Sequence, residues 1–258
     1  MKFAAQGMPL DQAGFSRVQD MIRTDSAALW AVLSVETRGF GFLPDRRPQI
    51  LFERHIFQRC SNGVFSADDP DLSASTPGGY SGGVGEYSRL ERAIALNREA
   101  ALKSVSWGIA QIMGFNFELA GFATIEELAL AMVESENLQM LAMANFIKGN
   151  QLDQALIAHN WPRFARGYNG RNFERNQYHT RLAAAFAHAQ TAPPDLALRG
   201  AQAALLYLGI DPGPIDGLRG RRTTAGIMQF QTTNNLPANG QLNRQTETAL
   251  RQAAFPDQ

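Results

Sequence analysis

The chain has 258 residues, 45% hydrophobic and 19% charged, the make-up of a globular protein with one large or two smaller domains. Lys+Arg and Asp+Glu both number 24, so the net charge is zero, which argues against a dedicated nucleic-acid binder. One cysteine, Cys60, excludes an internal disulfide, and His55, His159, His179 and His188 lack zinc-site spacing, so no metal and no other cofactor is expected.

The opening Met1-Lys2-Phe3-Ala4-Ala5-Gln6-Gly7 has no signal-peptide apolar core, and no stretch reaches the ~18 apolar residues of a membrane span. Synthesis in the cytoplasm, without stable membrane insertion, is the expectation. Residues 27–37 are rich in Ala, Leu and Val and predict a helix stopped at Gly39. Residues 49–52 fit a short strand or a helix start equally well. Cys60 matches no nucleophile signature and reads as structural. Residues 66–85, with the core Pro77-Gly78-Gly79-Tyr80-Ser81-Gly82-Gly83-Val84-Gly85, predict a long mobile surface loop edging a cleft, with plain disorder the alternative. Thr124-Ile125-Glu126-Glu127 fits a capping box, after which Leu128, Met132 and Val133 share a face. A further helix is expected over 173–189. Gln190-Thr191-Ala192-Pro193-Pro194-Asp195 then reads as a linker.

Beyond the linker the punctuation changes. A helix over about 198–208 precedes the dense turn Asp211-Pro212-Gly213-Pro214-Ile215-Asp216-Gly217. A second helix carries Phe230-Gln231, and a third starts near Asn243. The two halves echo each other: Asp216-Gly217 is followed by Thr223 and Thr224, and Asn239-Gly240 by Thr246. Strand alternation is scarce throughout, so the fold class is all-α, with residues 1–190, a linker at 191–195, and a small three-helix unit at 196–258.

One acid is out of place. Leu29, Val32 and Leu33 share a helical face with Glu36, and Glu36 also falls in the last turn, where the helix dipole is negative. Both effects raise a carboxyl pKa, which suits a general acid. The pattern alone is equally served by a frayed helix end that reaches solvent, or by pairing with Arg38.

Further blocks narrow the choice. Glu36-Thr37-Arg38-Gly39-Phe40-Gly41-Phe42, Ser106-Trp107-Gly108-Ile109-Ala110-Gln111-Ile112-Met113-Gly114 and Tyr168-Asn169-Gly170 occur in order. They resemble the catalytic blocks of goose-type lysozymes and soluble lytic transglycosylases. The resemblance is closer to the N-acetylmuramidase family of phage endolysins, over roughly residues 10–190. It includes Ile50-Leu51-Phe52-Glu53-Arg54-His55-Ile56-Phe57 and Tyr87-Ser88-Arg89-Leu90.

The resemblance implies a lysozyme-like helical domain that cleaves the β-1,4 bond from N-acetylmuramic acid to N-acetylglucosamine in peptidoglycan. Glu36 is then the acid, and Glu53 the first candidate for a second carboxylate, ahead of Glu86, Asp68, Asp69 and Asp71. Gln111 and Asn169 are expected to bond sugar groups, and Tyr168 to orient the acid or the muramyl sugar. Trp107 and Tyr80 are expected to stack on sugar faces, with core packing the alternative for Trp107 and for Tyr168. Ser106 and Gly108 are expected to shape a turn near substrate. The last sixty residues resemble the three-helix peptidoglycan-binding domain, which implies Asp216, Gly217, Phe230, Gln231 and Thr246 as wall-binding positions. Release through a holin and action as a monomer follow by the same resemblance. Competing readings are a lytic transglycosylase and a non-catalytic wall-binding protein.

Overall fold

The computed structural model describes residues 3–37 and 39–256. α1 (Gln12–Ile22) starts where Asp11 accepts a hydrogen bond from Gly14 N at 2.8 Å, and it ends on Arg23 in the left-handed region. α2 (Ser26–Thr37) is buried nearly all round from Ala27 to Leu33, so it runs through the core rather than along its surface. The open choice over residues 49–52 resolves as a strand: β1 (Ile50–Phe52) leads straight into α3 (Arg54–Cys60).

Next come α4 (Gly85–Leu96) and α5 (Arg98–Lys103). β2 (Val105–Trp107) and β3 (Ile112–Met113) complete a three-stranded antiparallel sheet of order β1-β2-β3, with Ile50 opposite Trp107. α6 (Ile125–Glu134) carries the expected N-cap, with Thr124 Oγ1 accepting from Glu127 N at 3.2 Å. The Glu127 carboxylate reaches back to Ala123 N, one residue before the cap. α7 (Glu136–Gly149), α8 (Asp153–Ile157), α9 (Trp161–Tyr168) and α10 (Tyr178–Thr191) follow. α10 starts later than the expected residue 173. Turns occupy 171–177, Tyr178 N bonds back to Phe173 O, and Gln177 is left-handed before the helix begins. α10 lies along α2, which sets its side chains against the end of that helix.

The loop before α4 differs from expectation. It is pinned, not loose. Arg54 donates to Thr76 O at 2.8 Å and to Pro77 O at 3.1 Å. Ser81 N and Gly82 N donate to Glu86 Oε1, and Arg92 pairs with Asp69 and Asp71. The buried guanidinium of Arg89 bonds Phe52 O, Asp71 O and Glu86 Oε2. A glycine-rich stretch needs such external partners to be ordered, because its own side chains supply none.

α11 (Leu196–Tyr207), α12 (Arg221–Thr233) and α13 (Arg244–Ala254) build a second, smaller core around Leu198, Leu205, Ile227, Phe230 and Leu250. Side chains as well as the linker join this unit to the first. Phe40 and Phe42 pack with Ala203 and Ile215 in one buried cluster. Arg46 bonds Gln6 O and Ala254 O and lies over the Tyr207 ring, and Tyr207 Oη donates to Gly7 O at 2.9 Å. Among the described residues no helix is long and apolar enough to cross a membrane.

Candidate active site

Glu36 closes α2, and α10 covers it. Tyr178 Oη donates to Glu36 Oε1, and the positive charge of Arg181, one turn further along α10, acts on the same carboxyl. Arg181 is anchored by its own bond to Val35 O at 2.8 Å. Tyr168, at the end of α9, donates to Ala110 O at 2.9 Å and stacks on Phe164, and the Glu36 charge acts on it. The residue keeps some open surface while protein crowds its carboxyl. Desolvation is the largest influence and outweighs the Tyr178 hydrogen bond and the Arg181 charge, so the pKa rises from 4.5 to about 7. The acid is therefore largely protonated just below neutral pH. Arg38, the alternative partner, lies outside the described residues.

The 106–113 block forms β2, β3 and the turn between them, and Ala110 O of that turn accepts from Tyr168. Gln111 is left-handed at φ 49°, and its side chain is tied within the turn. Its Oε1 accepts from Ser106 Oγ at 2.8 Å, and its Nε2 donates to Gly108 O at 2.9 Å and Gln49 O at 3.3 Å. Gln111 and Ser106 thus hold each other and the β1 entry; they shape the turn before they can touch a sugar. Trp107 is a correction. It is 0% exposed, and its Nε1 donates to Leu102 O at 3.2 Å, so no ring face is free for stacking. Gly108 is needed for a different reason from substrate approach. It sits at φ 66°, and a Cβ there would collide with the buried side chain of Gln139.

Glu53 stands at the end of β1, where Glu53 N bonds Ser104 O. Tyr80 Oη lies 3.0 and 3.1 Å from its two carboxylate oxygens, and His55 Nδ1 lies 3.1 Å from Oε2. Tyr80, from the pinned loop, remains 47% exposed, so its ring is available to a ligand while its hydroxyl serves Glu53. Burial, then the Glu53 charge, pushes that hydroxyl up to about 12. Asn169 is exposed at the C-cap of α9, next to Tyr168. Glu86 is 0% exposed and spent on Phe52 N, Ser81 N, Gly82 N and Arg89, which removes it as a catalytic candidate. Asp69 and Asp71 are taken up by Arg92.

Sequence reasoning missed four residues. Tyr178 and Arg181 carry no motif, and only their i,i+3 spacing places them on one helix face. Glu136 and Gln139, also i,i+3 on α7, are fully buried polar residues. Glu136 accepts from Leu10 N at 2.7 Å and Gly41 N at 2.8 Å, and Gln139 Oε1 accepts from Ile109 N at 2.7 Å. One turn of α7 thereby ties together the segment after Glu36 and the turn that carries Gln111.

The N-acetylmuramidase family model matches residues 25–190 of this chain. The chain belongs to the N-acetylmuramidase family. It is thus a peptidoglycan-cleaving glycosidase. A peptidoglycan binding domain model matches residues 196–250. Among solved structures, the endolysin of Burkholderia phage AP3 is similar, with a TM-score of 0.65 and 38% identity. The likeness covers 70% of this chain and 71% of that one. No curated protein matches.

In this N-acetylmuramidase the echo in the C-terminal unit is a repeated buried network. Gln202 Nε2 donates to Asp216 Oδ1, Leu218 O and Thr223 Oγ1, and its Oε1 accepts from Gly217 N. Gln231 does the same with Asn239 Oδ1, Gln241 O, Thr246 Oγ1 and Gly240 N. The Asp-Gly and Asn-Gly turns are therefore pinned onto two glutamines, one per half. This corrects the wall-binding expectation for Gly217, Phe230, Gln231 and Thr246, which are buried, Phe230 in the apolar core and the other three in these networks. Asp216 is half-buried, with Oδ1 also accepting from Leu218 N.

Proposed function

We propose that this N-acetylmuramidase is a phage-type endolysin that hydrolyses the β-1,4 bond from N-acetylmuramic acid to N-acetylglucosamine, with Glu36 as general acid, and so lyses the cell. The observation that carries the reading is the desolvated Glu36 carboxyl, with its pKa raised to about 7 beside Tyr178 and Arg181. Tyr178 occupies Oε1, which leaves the acidic proton on Oε2 to be offered to the glycosidic oxygen. As that oxygen leaves with the proton, the carboxylate formed is stabilised by the Tyr178 hydroxyl and the Arg181 charge. Water adds its oxygen to C1 of the muramyl sugar and gives its proton to Glu53, which Tyr80 and His55 hold in place.

Tyr168 and Asn169 at the end of α9 are assigned to the sugar beside Glu36, and the exposed ring of Tyr80 to the sugar beside Glu53. Gln111 and Ser106 shape the turn whose Ala110 O holds Tyr168. Residues 1–190 are the catalytic unit, 191–195 a linker, and 196–258 the unit that holds the enzyme on the wall. The enzyme acts as a monomer, is made in the host cytoplasm, and reaches the wall through a holin.

Digestion of purified peptidoglycan in ¹⁸O-water tests this reading. Mass spectrometry is expected to find muramyl reducing ends carrying one ¹⁸O. Ends of the 1,6-anhydro type would instead make the protein a lytic transglycosylase, with no role for Glu53 as base. Binding with no new ends at all would make it a wall-binding protein without turnover.

A further inference from the structure

The C-terminal unit sends one charged side chain into the catalytic unit. Arg199 of α11 and Glu136 of α7 are each 0% exposed and form a bidentate pair at 2.6 and 2.7 Å. Burying two charges is costly unless the pair is well hydrogen-bonded, and here most of the remaining bonds fall on one short segment, residues 39–41, with Leu10 N the other partner. Arg199 Nε donates to Gly39 O at 2.9 Å, and Nη2 donates to the same oxygen. Glu136 accepts from Gly41 N on one oxygen and from Leu10 N on the other. The guanidinium also lies over the Phe40 ring.

Gly39 and Gly41 follow the end of α2, three and five residues after Glu36. Gly39 is left-handed at φ 96°, and a Cβ there would stand 3.0 Å from Ile215 O of the C-terminal unit. The backbone that leaves the catalytic acid is thus seated on the wall-binding unit by shape as well as by charge. The side chains that act on the Glu36 carboxyl itself are Tyr178 and Arg181 of α10, and its charge acts in turn on Tyr168.

We propose that Arg199 is a positioning residue for Glu36: together with Glu136 it fixes the backbone at Gly39 and Gly41, so the catalytic site is complete only with the wall-binding unit docked. The inference rests on Glu36 being the acid. It makes the C-terminal unit a part of the active site's scaffold as well as an anchor.

The test uses the full chain with soluble, uncrosslinked peptidoglycan strands, so that wall affinity does not limit the rate. Arg199→Lys keeps the charge but can serve fewer acceptors. The double variant Arg199→Met, Glu136→Met replaces the pair with apolar volume, an exchange that often preserves stability. Melting temperature is followed alongside. The double variant is expected to lose about tenfold in kcat, the scale of misplacing a catalytic group, with KM nearly unchanged. Arg199→Lys falls between it and wild type. The alkaline limb of kcat/KM is expected to move down from about 7, by about one unit in the double variant, because a loosened helix end lets water reach the carboxyl. Tyr207→Phe, which removes the bond to Gly7 O across the same interface, is expected to leave the limb in place.

Folded variants with wild-type kcat and limb would overturn the proposal. So would a lower kcat with the limb unmoved, or an equal shift in Tyr207→Phe, since both mean general loosening. Failure of both Arg199 variants to fold would reduce the pair to a stability element and also overturn it. Glu36→Gln in the same assay separates the two layers. If it is inactive while the Arg199 variants are normal, only this inference fails; if it is active, the assignment of the acid fails.

Discussion

Tyr178→Phe isolates the contact that holds the acid. The phenol donates to Glu36 Oε1, and a donor favours the ionised carboxylate over the neutral acid. Desolvation pushes the pKa up, and Tyr178 and Arg181 pull it down, with the balance at about 7. Removing the hydroxyl leaves desolvation less opposed, so the pKa must rise. A hydrogen bond to a charged group is worth about 1.5–3 kcal/mol, and one pKa unit is about 1.4 kcal/mol, so the rise is about one to two units. Since the acid works protonated, the alkaline limb of kcat/KM is expected to shift from about 7 to about 8–9. The plateau falls at the same time, because the carboxylate left after proton transfer has lost a donor. Initial rates on soluble glycan strands between pH 4 and pH 10 read both effects. A limb that stays at 7, or moves below it, would refute the reasoning. Arg181→Met is expected to shift the limb in the same direction.

Glu53→Gln is expected to cost about 100-fold in hydrolysis, the scale for losing a base, with KM little changed; near-normal turnover would remove Glu53 from the mechanism. Glu86→Ala is expected to act on stability, because it strands the buried Arg89 charge, and to lower unfolding free energy by about 3–5 kcal/mol in urea titrations. An unchanged midpoint would contradict the pinned-loop account. Glu36→Gln has a pH-dependent stability signature. A carboxyl raised from 4.5 to about 7 contributes its stability fully below 4.5 and loses it as pH rises through 7. Gln carries no such loss, so the variant should gain on wild type by up to about 3 kcal/mol above pH 7 and by little at pH 4. A difference independent of pH would show that the carboxyl is not perturbed.

Much of this was legible in the sequence, and the failures share a cause. Glu36 stood out because an acid on the Leu29–Val32–Leu33 face breaks local patterning, and the structure gives it the raised pKa that the pattern implied. The Thr124 cap and the three C-terminal helices followed from local signals. The strand β1 stayed ambiguous because three residues carry too little periodicity, and its pairing with β2 lies 55 residues away. The loop reads as mobile from its sequence because its order comes from Arg54, Glu86, Arg89 and Arg92, none of which lies within the glycine-rich stretch itself. Trp107 and Gln231 sit in motifs, yet both are buried; a motif marks a residue the fold needs as readily as one the substrate needs. Tyr178, Arg181 and the Glu136–Arg199 pair gave no signal at all, since each is defined by a partner 63 or more residues away.

Glu36 is the residue on which the proposed chemistry depends. The decisive measurement is the rate at which Glu36→Gln clears a suspension of purified peptidoglycan near pH 6, with thermal unfolding recorded on the same preparation. At least a ~100-fold loss of rate is expected, the scale for removing a general acid, in a protein that melts no lower than wild type. Clearance close to the wild-type rate would contradict that role for Glu36.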